Sequence, residues 1–139
     1  MTTLRRMLCF AAVFCASAPA AMAATGTIGP VFLDQVSIIA LPSPTTTGHK
    51  AGNMEIKIQG GFQIPAGLTC VDSTYITTLA SVDLGRPMFQ LLNSAIISGR
   101  PVDLGITDDP NTNAYAGRCS LVYVSLDSSI STGARPKPH

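Results

Sequence analysis

Apolar and polar residues alternate most regularly where Met54, Ile56 and Ile58 are separated by Glu55, Lys57 and Gln59. A period of two sends successive side chains to opposite faces, so this stretch is predicted to be a half-buried β-strand. Val102, Leu104 and Ile106 repeat the pattern and predict another. Residues 31–41 form a long apolar run with little period, the mark of a buried or bent first strand, and Pro42 ends it. A Thr-rich, β-branched stretch over 73–79 and the run 121–126 bring the expected strands to five. Between the third and fourth, the period changes. Wound at about 100° per residue, Met88, Phe89, Leu91, Leu92, Ala95 and Ile96 fall on one arc, with Gln90, Asn93, Ser94 and Ser98 opposite. This is an amphipathic helix, with Gly99 placed as its left-handed C-cap and Asp83 as its N-cap. Three strands, a helix and two strands is the element order of the OB-fold, a five-stranded Greek-key barrel with its helix between strands three and four. A small sandwich with a covering helix is the alternative.

The start of the chain changes the picture of where this domain resides. Arg5 and Arg6, an apolar stretch over 7–18 and the small-residue site Ala21-Met22-Ala23 are the three parts of a secretory signal in order. Residues 1–23 are therefore expected to be removed before Ala24, leaving an OB-fold-like domain over 24–126 and a Ser-, Gly- and Pro-rich disordered tail over 127–139. No later apolar segment approaches the roughly 20 residues of a membrane-spanning helix. Cleavage also removes Cys9 and Cys15, so two cysteines remain, Cys70 and Cys119. In the secreted or periplasmic compartment such a pair reads as one disulfide.

Charge excludes one class of partner. The mature part carries Lys50, Lys57, Arg86, Arg100, Arg118, Arg135 and Lys137 against eight acids, and the basic residues are scattered. No nucleic-acid-binding patch is expected. Catalytic motifs are missing too: Gly-x-Ser-x-Gly, a phosphate-cradling loop and His-Glu-x-x-His do not occur. His49, in a loop, and His139, the last residue, form no cluster with metal-ligand spacing, so neither a metal, a cofactor nor a catalytic residue is assigned. The segment Asp109-Pro-Asn111-Thr-Asn113 has oxygen ligands at alternating positions, like the opening of a calcium loop. Ala114 and Ser120 occupy the positions where such a loop needs Gly and Glu, and the same residues serve a plain turn. In an OB-fold the connection between strands four and five borders the ligand face, which makes Asp109, Asn111, Asn113 and Tyr115 the candidate ligand loop.

From Cys70 and Tyr75 through the helix, Gly99-Arg100-Pro101-Val102, Cys119 and Leu121-Val122-Tyr123-Val124, the chain resembles small exported bacterial proteins related to the B subunit of subtilase cytotoxin. The resemblance implies an OB-fold, binding of sialylated glycans on the barrel, a possible exported catalytic subunit as partner, and a ring of five subunits with helices around a central pore. It gives the expected function as a non-enzymatic, glycan-binding B-type module. The alternative is a stand-alone periplasmic inhibitor or envelope accessory factor. Ile97 bears on assembly. It falls in the middle of the helix's polar side, among uncharged neighbours, and is the candidate contact of a homo-oligomer.

Overall fold

The computed structural model describes residues 23–40 and 50–126. The signal segment up to residue 22, the loop bearing His49 and the tail from 127 lie outside the described residues.

Among the described residues the fold is mainly β with one helix. Six strands, β1 (Thr25–Val31), β2 (Leu33–Ile38), β3 (Met54–Ile58), β4 (Tyr75–Thr78), β5 (Val102–Thr107) and β6 (Cys119–Ser125), form a single mixed sheet in the order β1-β5-β6-β4-β3-β2. The helix α1 (Pro87–Ser98) follows β4 and precedes β5. All neighbours are antiparallel except β4 and β6, which run parallel, with Ile76 opposite Cys119.

Six strands replace the expected five. The long apolar run does form β2, but the sheet already begins at Thr25, and Phe32 alone separates the two strands. β1 escaped the sequence pattern because Gly26, Gly29 and Pro30 dilute its β-branched residues. Its glycines have a reason in packing. A Cβ on Gly29 would lie 2.0 Å from Asp103 Oδ1, and one on Gly26 would lie 2.8 Å from Pro65. β1 and β2 are the two edges of the sheet and are not paired with each other.

The period-two strands bury the faces they were expected to bury. Met54, Ile56 and Ile58 of β3 meet Ile76 of β4, Val102, Leu104 and Ile106 of β5, and Leu121 of β6 in one core, closed on one side by Leu92 and Ala95 of α1. Removing a side chain as fully enclosed as Ile56 or Leu104 would cost about 2–5 kcal/mol. The helix presents less apolar surface to this core than its arc suggested, since Leu91 is 39% exposed. Gly99 ends it in the left-handed conformation, with the Arg100 N–H bonded to the Ala95 carbonyl. At its start, Arg86 occupies the cap position, while the buried carboxylate of Asp83 accepts the N–H groups of Met88 and Phe89 at 3.0 and 3.2 Å. Asp83 thus satisfies the orphan donors from outside the helix.

Cys70 and Cys119 are disulfide-bonded, with Cα atoms 5.3 Å apart. Beside the bridge, the N–H groups of Val71 and Asp72 both donate to the Gly117 carbonyl. The segment entering β4 is thereby fastened to the segment entering β6.

Candidate functional site

That fastening brings Asp72, two residues after one cysteine, against Arg118, one residue before the other. Arg118 Nε donates to Asp72 Oδ2 at 2.9 Å, and its Nη1 donates to Glu55 Oε2 on β3. The guanidinium also packs on two rings, its carbon 4.5 Å from the centroid of Tyr75 on β4 and 4.4 Å from that of Tyr115 in the β5–β6 connection. Arginine suits this position because its planar fork meets carboxylates along its edge while its faces pack on aromatics. The side chains of Arg118, Glu55 and Asp72 are only 15%, 19% and 27% exposed, so these contacts are sheltered from water.

Asp72 is held on both sides. Burial pushes its carboxyl up, but the N–H groups of Thr74 and Tyr75, at 2.8 and 3.0 Å, together with Arg118 outweigh burial and hold it below the ordinary carboxylate value. Asp108, where the β5–β6 connection begins, is also lowered. The hydroxyl and N–H of Thr69, each at 2.9 Å, are the main cause, and the Ala24 N–H, also at 2.9 Å, adds to them.

The cluster stands beside a groove of about 590 Å³, formed where β3 ends in the Gly60-Gly61 turn. Lys57, paired across the strands with Tyr75, lies on its wall 3.6 Å from Asp34. Thr74, whose N–H holds Asp72, lines the groove together with Ser73 and Gln63. Both turn glycines have φ near +75°, which a side chain would strain.

Of the four residues assigned to the ligand loop, this arrangement brings Tyr115 alone to the cluster. Asp109 Oδ1 accepts both the backbone N–H and the side-chain amide of Asn111, each at 2.9 Å, and Asn113 Oδ1 accepts the Tyr115 N–H at 2.8 Å. These are side-chain turns that shape the loop and set the Tyr115 ring. Asp72, Glu55, Tyr75 and Arg118 were missed, and one signal in the sequence pointed to two of them: their spacing from the cysteines. Ile97 lies on α1, away from this face, and is 78% exposed.

Compared with protein-family models, with curated proteins and with solved structures, the chain matches none.

Proposed function

We propose that this is a non-enzymatic binding module of the secreted or periplasmic space, and that its ligand face is the outer side of β3 and β4 with the β5–β6 connection. One observation carries the reading: the Tyr75 and Tyr115 rings both pack on Arg118, next to a polar groove of about 590 Å³ whose walls include Thr74 and Lys57, the chain neighbour and cross-strand partner of Tyr75. Paired aromatic rings beside hydroxyl, amide and carboxylate groups suit a glycan, whose C–H faces stack on rings while its hydroxyls bond to polar side chains.

The topology supports an OB-fold reading of the sheet. β1 and β2 form its opposite edges and are separated by one residue, as the two halves of a single bent strand would be. Counted so, the strands number five, the helix falls between the third and fourth, and the third and fifth run parallel. In that fold, ligands are bound by strands two and three and the neighbouring loops, which is where the Arg118 cluster lies. The same frame keeps the B-type subunit expected from the resemblance as a proposal, with a homo-oligomer formed through the uncharged outer side of α1 and an exported catalytic chain as partner.

A second reading has a specific observation of its own. Arg118 ties β3, β4 and the β5–β6 connection together, and a stand-alone periplasmic protein would keep it for stability alone. Glycan-array binding by the mature protein separates the two. Binding that is lost in Tyr75→Ala and Tyr115→Ala variants that remain folded supports the module. An array without signal, or variants that bind unchanged, leaves the structural reading.

A further inference from the structure

We infer that the ligand is an extended carbohydrate chain and not a single terminal sugar, an inference that rests on the binding-module reading above. It follows from a second groove, of about 300 Å³, that adjoins the first. Phe62 and Gln63 line both, so this pair of residues forms the wall that the grooves share. Phe62 is fixed there, packed against the core and with its N–H bonded to the Ser73 carbonyl at 2.8 Å. Gln63 is exposed and brings an amide that both donates and accepts. On its other side the second groove is bounded by β1, through Thr27, Gly29, Pro30 and Val31. The Thr27 hydroxyl is hydrogen-bonded to the Tyr123 hydroxyl at 2.8 Å. The Tyr123 ring passes over Gly105, where a Cβ would lie 2.0 Å from it, and yet is 44% exposed. It is held in place without being covered.

Three aromatic residues thus follow one another along the two grooves. Tyr75 adjoins Thr74 in the first, Phe62 stands at the shared wall, and Tyr123 is tied to Thr27 in the second. Among them lie the hydroxyl and amide groups of Ser73, Thr74, Gln63 and Thr27. This interleaving of rings and uncharged polar groups matches a chain of sugars, in which every unit has a C–H face and a rim of hydroxyls. A single sugar would occupy one groove and leave the other aromatic positions unused. The competing occupant is a peptide added to β1 as a further strand. Pro30 has no N–H to give it, and the register of β1 breaks between Ile28 and Val31, so this edge lacks the unbroken row of donors that strand addition uses.

The test is a glycan array on which each core sugar is printed alone and as linear oligomers of up to about six units, probed with mature protein and followed by calorimetric titration with the soluble forms of a bound core. Binding is expected to strengthen by at least about tenfold from the single unit to a chain of about three, one for each aromatic position, and then to level off. Tyr123→Ala should remove most of that gain and leave the shortest bound form unaffected. Thr27→Val, which frees the Tyr123 hydroxyl but keeps a β-branched residue on the strand, should reduce the gain by about threefold. Equal affinity of the unsubstituted protein for the single unit and its longer oligomers would overturn the inference and leave the binding-module reading standing. So would folded Tyr123→Ala and Thr27→Val variants that keep the full gain. An array with no binding to any form would overturn both.

Discussion

Arg118 is the residue on which the candidate site depends, because it meets two sheltered carboxylates and two rings at once. Arg118→Ala would remove the cation that the sheltered carboxylates of Glu55 and Asp72 share, and is expected to lower stability by about 3 kcal/mol in denaturant unfolding. Arg118→Lys keeps the charge without the fork and should recover only part of that loss. Asp72 adds a pH dependence of definite sign. Its carboxyl is lowered in the folded protein, so its contribution is fully present above the unfolded value of about 3.8 and is lost as pH falls through the lower, folded one. Asp72→Asn should flatten the acid limb of a stability-against-pH curve, and an unchanged limb would contradict the assignment. Sequence reading reached Tyr115 in this cluster but not its partners. The Arg118 bonds span 46 and 63 residues, and no local period records a contact across such a distance.

Elements were legible in proportion to the regularity of their patterns. β3 ends one residue short of the alternation over 54–59, and α1 differs from its expected span by one residue at its start. β1 was missed because its glycines serve close packing against Asp103 and Pro65, a reason that lies in distant residues. On α1, the wheel placed Leu91 in the core arc, whereas Leu92 and Ala95 fill that role and Leu91 is exposed. This leaves Leu91 and Ile97 on an outer side without charge, the surface proposed for assembly. Ile97→Lys should convert an oligomer to monomers in light scattering while changing monomer stability by no more than about 0.5 kcal/mol, as expected for an exposed position. A monomer mass for the unsubstituted protein at micromolar concentration would refute the assembly.

At the scale of the whole molecule, the disulfide links stability to the site. It closes a separation of 49 residues and sets Asp72 beside Arg118. Reduction, or Cys70→Ser with Cys119→Ser, is expected to cost about 4 kcal/mol in the chain-entropy account. It should also release Asp72, so that the acid limb flattens as it does in Asp72→Asn. The cysteine pair and the order of most elements could be read from the chain alone. The pairing of β4 with β6 and the separation of β1 from β2 could not, since both are set by contacts between distant segments.

The central claim is that ligand is bound on the outer side of β3 and β4. The most direct measurement of it is amide chemical-shift mapping by two-dimensional NMR, titrating mature protein with an oligosaccharide selected on the array. The account predicts saturable shifts concentrated at Lys57, Thr74, Tyr75, Tyr115 and Arg118. Shifts confined to α1 or to β1 and β5, with those five amides unmoved, would contradict it.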